Sequence, residues 1–180
     1  MCDGLSGRPH MANPDFGHLF EQADRLIAPL PPEAEPRQTD LRRAVSAAYY
    51  GVFHFAVTAA VDMFVGETRR GGEQYIRTYR TVTHAWLHEL CDHLRGLLKP
   101  KSFPHAPSVD FFGPLVEFAT NVAELQEKRH TADYDPSFDM EPDEVKIWID
   151  TARRAVSLFQ SATERQRVTF LTLLLFNLRK

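Results

Sequence analysis

Cysteine is nearly missing from this 180-residue chain, which holds only Cys2 and Cys91. Cys2 falls in a stretch that reads as a loose tail, so no disulfide framework is indicated, and a cytoplasmic setting is the expectation. An excess of positive charge is also lacking. Lys and Arg number 21 against 24 Asp and Glu, for a formal net charge of −3. That excludes a globally basic nucleic-acid binder and leaves room for a local basic patch. No apolar run reaches the roughly 18 residues of a membrane span. The opening residues MCDGLSGRPHMANPD contain no apolar stretch of the secretory kind, and Met11 is a candidate alternative start. There is no G-x-x-x-x-G-K-[ST] loop and no G-x-G-x-x-G, so neither a P-loop hydrolase nor a Rossmann enzyme is indicated. No segment of useful length alternates with period two, no hairpin signature appears, and no internal repeat is found.

What is present is ordinary globular composition, 43% hydrophobic and 25% charged, with long segments of helical pattern between a few breaker clusters. Residues 1–12 read as a flexible tail. A first helix is expected from an Asn13 N-cap, with Pro14 at the first position, to about Ile27. A second is expected from a Thr39 N-cap to about Val65, a third from Glu73 to Leu98, and a fourth from Asp110 to Tyr134, stopped by Pro136. A fifth begins at Pro142 and is too long for the others. A break is therefore expected near Ser161-Ala162-Thr163, or else a projecting end. The fold class is all-α, an antiparallel bundle of about five helices over residues 13–160, with 161–180 as an apolar helical extension. The run from Val168 to Leu178 is apolar nearly all round, which predicts packing across the bundle or against a second subunit.

Two helices carry polar residues where an apolar face is expected. In the second, Arg43, Ser46, Tyr50, His54 and Val57 fall on one face at about 100° per residue. A satisfied polar layer that fixes bundle register accounts for this, and so does one wall of a ligand site. In the fourth, the apolar face of Phe112, Leu115, Val116, Ala119, Val122 and Ala123 continues into Gln126, His130, Asp133 and Tyr134, with Arg129 at its edge. Arg129 and Asp133 are four apart and can pair. Arg can grip phosphate bidentately and Tyr can stack on a base. A solvated helix end with a surface ion pair is the plainer account.

The run Ser46-Ala47-Ala48-Tyr49-Tyr50-Gly51-Val52-Phe53-His54 resembles the S-x-x-Y-Y-x-x-F-H signature of HEPN domains. Arg129-His130-Thr131-Ala132-Asp133-Tyr134 resembles the R-x-x-A-D-Y element of one prokaryotic branch of that family. The order and spacing of the two elements also fit, over roughly residues 13–160. The resemblance implies an all-α bundle that dimerises, and RNA or a nucleotide as ligand. It also implies a toxin–antitoxin, defence or nucleotidyltransferase-associated setting, with a nucleotidyltransferase-like or antitoxin partner. Ribonuclease members carry R-x4–6-H. Here positions 134–136 are Tyr-Asp-Pro, so the expected His is absent. Arg77 and His84 match R-x6-H in number but precede the place the family uses.

The expected ligand-binding set is Arg43, Ser46, Tyr50, His54, Arg129, Asp133 and Tyr134. If the chain is a metal-independent endoribonuclease, the alternative reading, Arg129 with His130 or His54 is the expected catalytic set. Because His130 follows Arg129 directly, the two are expected to project about 100° apart. A structural interaction subunit is the third reading. No cofactor, metal or membrane is expected. His84, His88 and Asp92 share a helix face at spacings of four, which suits zinc, but the H-E-x-x-H order is absent and a partly buried face is the alternative. Arg42, Arg43, Arg77 and Arg80 would form a phosphate-binding rim if they converged near Arg129.

Overall fold

The computed structural model describes residues 15–28, 31, 34–96 and 111–176. The expected tail, the Asn13 cap, Pro14 and the expected end of the third helix at Leu98 lie outside them. Among the described residues there are seven α-helices and no strand. They are α1 (Phe16–Ile27), α2 (Gln38–Val65), α3 (Glu73–Tyr79), α4 (His84–Leu94), α5 (Pro114–Tyr134), α6 (Pro142–Ser161) and α7 (Glu164–Leu175). The chain is an all-α bundle.

Helix α2 is its axis. Most of its surface is apolar, and such a helix is stable in water only when largely surrounded. Helices α1, α3, α5, α6 and α7 all pack on it. It is the one described helix long and apolar enough to cross a membrane, and most of that stretch is buried inside the bundle. Gly51 lets α1 come close: a Cβ there would sit 2.6 Å from Cε1 of Phe20. On the far side, Phe118, Phe159 and Phe170 meet edge to face and join α5, α6 and α7.

Local chemistry sets the helix ends. Asp15 caps α1, accepting from the Gly17 N–H at 2.8 Å. Helices α5 and α6 start with Pro114 and Pro142 in their first turns. Thr163 and Gln166 form a reciprocal capping box that opens α7. The expected break after Ser161 is therefore present. The next helix packs inward, burying Phe170, Leu171, Leu173 and Leu174, and Trp86 of α4 donates to its Leu173 and Leu174 carbonyls.

Four expectations need correction. The third helix is two helices, because Thr81-Val82-Thr83 is a β-branched run and Thr83 caps α4 through the Trp86 N–H at 3.2 Å. Thr39 is not a cap but lies in the first turn of α2, after Arg37. The described start of α5 is Pro114, not Asp110. Phe112 precedes that helix and is 63% exposed rather than part of its apolar face.

Candidate anion-binding site

The start of α2 is stitched to the end of α5. Arg42 donates to the Ala132 and Asp135 carbonyls at 2.8 Å each, and to the Phe138 carbonyl. The Ala132 carbonyl is one of the acceptors that a helix end leaves without partners, and the other two lie in the segment that follows. Gln38 pairs with the Met140 backbone in both directions, at 2.8 and 2.9 Å. Arg42 is thus consumed inside the fold, and Arg77 pairs with Glu73 at 2.7 Å. The expected four-arginine rim does not assemble from these two, although Arg43 lines a cleft with Arg129.

Arg129 sits at the centre of that corner. Its Nε is 2.6 Å from Asp133 Oδ2, and both side chains are 18% exposed. Asp133 Oδ1 in turn accepts from the Ser46 hydroxyl at 2.6 Å. Arg129 Nη2 donates to the Tyr50 hydroxyl at 3.0 Å. The guanidinium lies 5.4 Å from the Tyr50 ring and 5.8 Å from the Tyr134 ring, both in cation–π range. A guanidinium has five N–H bonds. One, on Nη2, is donated to Tyr50; the buried Nε–H faces Asp133 in an ion pair outside hydrogen-bond geometry, and the other three have no partner among the described residues.

Two clefts open beside this group. One, of about 450 Å³, lies between α2 and α5 and is lined by Thr39, Arg42, Arg43, Tyr50, Arg129, Asp133 and Tyr134. It gathers three guanidinium groups against one carboxylate, so its walls favour an anion despite the acidic chain. The other, of about 590 Å³, lies between α4 and α5 and is lined by His88, Gln126, Glu127, Arg129, His130 and Thr131. Arg129 lines both.

Behind Arg129 is a buried polar layer. The Tyr49 hydroxyl donates to Gln126 Oε1 at 3.1 Å and lies 2.8 Å from His84 Nδ1. A phenol has one proton, so with Gln126 receiving it, His84 Nδ1–H is the donor to the phenol oxygen. Burial pushes the Tyr49 phenol well above its ordinary range, against a smaller pull from Arg129. Burial lowers His84, and the nearby charges of Arg129 and His54 lower it further. His54 Nδ1 is 2.6 Å from the Tyr79 hydroxyl, and its ring stacks between Tyr50 and Tyr79. Burial lowers its pKa too.

The sequence-predicted set therefore divides. Arg43, Tyr50, Arg129, Asp133 and Tyr134 meet at the α2/α5 cleft. Ser46 is 4% exposed and acts from behind, on Asp133. His54 lines neither cleft and belongs to the inner stack. His130 lines the second cleft together with Arg129, so their side chains converge on one space despite adjacent positions. Sequence reasoning missed Tyr79, whose approach to His54 depends on the α3–α4 break. It also missed the structural work of Arg42, because a cation capping backbone carbonyls leaves no pattern in sequence. His88 and Asp92 were visible only as a zinc spacing. They lie 3.3 Å apart, and among the described residues no group of three or more His, Cys, Asp or Glu side chains is placed to hold a metal ion.

No protein-family model, no curated protein and no solved structure matches this chain.

Proposed function

We propose that the chain is a HEPN-like module that binds RNA or a nucleotide through Arg129, in a cytoplasmic toxin–antitoxin, defence or nucleotidyltransferase-associated system. The observation that carries this reading is the state of Arg129. It is gripped by Asp133, Tyr50 and Tyr134, and it still offers three N–H bonds at the junction of two clefts. A pre-oriented guanidinium with open donors is the chemistry of phosphate recognition. The exposed Tyr134 ring, 66% accessible, supplies a face for a base. The test is fluorescence anisotropy with a labelled single-stranded RNA and with ATP. A charge-assisted contact of about 1.5–3 kcal/mol predicts a loss of roughly 10- to 100-fold in affinity for Arg129→Ala. Equal binding by wild type and variant would remove the reading.

A second reading, a metal-independent endoribonuclease, is favoured by one observation: Arg129 and His130 line the same cleft. Cleavage of RNA in EDTA by wild type, and its loss in Arg129→Ala, tests it. The homodimer belongs to the proposal as well. Phe64 and Phe176 meet with ring centroids 5.1 Å apart while both are about half exposed, beside exposed Met63. Apolar side chains grouped at a surface favour contact with another protein. Light scattering of wild type against Phe64→Lys reads it directly.

A further inference from the structure

The α4/α5 cleft holds a histidine that neither the resemblance nor the binding site accounts for. His88 Nδ1 lies 3.3 Å from Asp92 Oδ2, one turn along α4. Oδ1 of Asp92 is 3.2 Å from Arg95 Nη1, so the carboxylate is held from both sides. The contact is an ion-pair approach outside hydrogen-bond geometry, and a carboxylate beside Nδ1 favours the proton there, which leaves the basic lone pair of a neutral imidazole on Nε2. Among the described residues His88 Nε2 has no hydrogen-bond partner, and His88 lines a cleft of about 590 Å³. Across that cleft, on α5, stand Arg129, His130 and Glu127. The His130 ring is 4.9 Å from the Tyr134 ring. One space thus contains a carboxylate-oriented imidazole, a second imidazole on the facing helix and a guanidinium with unspent donors. These are the three parts that ester transfer at phosphorus needs when no metal takes part.

We propose that His88, oriented by Asp92, is the general base of a phosphodiester-cleaving site in which Arg129 holds the phosphate and His130 is the general acid. The inference rests on the endoribonuclease reading and names the groups that carry it. His88 Nε2 takes the proton of the ribose 2′-hydroxyl. The 2′-oxygen forms a bond to phosphorus as the bond from phosphorus to the 5′-oxygen breaks. His130 gives its proton to that leaving oxygen. The products are a 2′,3′-cyclic phosphate and a 5′-hydroxyl, and proton exchange with water resets both imidazoles. Nothing is oxidised or reduced. Asp92 is a positioning residue, and Tyr134 limits the swing of His130.

The experiment is cleavage of a single-stranded RNA in EDTA by the full chain, with product ends identified. The variants are His88→Gln, His130→Ala and Asp92→Asn, each checked by thermal unfolding. Removal of an acid or base lowers kcat by about 100- to 10,000-fold, with RNA affinity held within about twofold. Asp92→Asn displaces the acid limb of the kcat/KM profile, which a merely structural role would leave in place. A substrate with sulfur at the 5′ bridging position, whose thiolate leaves without a proton, restores cleavage to His130→Ala and not to His88→Gln. Wild-type cleavage with a pH profile lacking a base limb overturns the proposal without any variant. His88→Gln cleaving like wild type overturns it too, and leaves the endoribonuclease reading standing. Absence of cleavage by wild type overturns both and leaves the binding module.

Discussion

At Arg129 the deciding quantity is how many of its donors are already spent. Nε lies buried against Asp133 in an ion pair and Tyr50 takes part of one terminal nitrogen, so the outer edge of the fork is free but partly neutralised. Arg129→Lys keeps the charge and cannot serve Asp133, Tyr50 and a ligand together, because an ammonium has no planar fork. Phosphate affinity should fall nearly as far as for Arg129→Ala in the same anisotropy titration. Asp133→Asn keeps an acceptor oxygen facing Ser46 and removes a negative charge from the cleft wall. Binding of a polyanion should tighten by about two- to fivefold, in the range of a partly exposed ion pair, and its salt dependence should steepen. Unchanged affinity would mean that Asp133 only orients the arginine. Much of this group could be read from the sequence, since Tyr50, Arg129, Asp133 and Tyr134 recur at helical spacing and match the family elements. The position of His88 in the α4/α5 cleft could not, because a spacing of four says nothing about which helix stands opposite.

At the scale of elements, the site depends on two contacts that position α2. The first is Arg42, which holds three carbonyls around the end of α5. Arg42→Ala should destabilise by on the order of 3 kcal/mol, since half-buried acceptors lose a charged donor. Arg42→Lys should recover only part of this, as read by urea denaturation. RNA binding should weaken in parallel, although Arg42 only lines the edge of the cleft. The second contact is Gly51 under Phe20. An alanine there gains up to about 1 kcal/mol of helix propensity and loses about 1–3 kcal/mol to overpacking. Gly51→Ala should therefore lower the melting temperature by a few degrees, and adding Phe20→Leu should return most of it. The helical content was legible from apolar spacing and prolines, and the break after Ser161 from the excess length of the fifth segment. The α3–α4 break was not, since its cause is a Thr-Val-Thr run whose weak preference is outvoted or not by what α4 packs against. The same holds for Phe112, which fits the wheel of α5 and falls just outside the helix.

For the molecule as a whole, acid is the sensitive direction. Burial is the leading cause that lowers His54, His84 and His93. The unfolded chain binds protons at these positions below about pH 6.5. The folded chain does not until lower pH, so stability is full above that value and is lost as pH falls through the window below it. Urea midpoints should drop between pH 7.5 and 5.5, and His84→Gln should flatten the slope. Equal slopes would place the acid sensitivity elsewhere. Closure of the bundle also sets an order of events. Helix α2 is as apolar as a membrane span, and part of its cover is α7, which is synthesised about 100 residues later. At about 5–20 residues per second, the stretch between them takes roughly 5–20 s to synthesise. Throughout that interval the nascent chain presents a long greasy helix with an unfinished lid. A chain cut short before α7 leaves that part of the apolar surface uncovered and should aggregate.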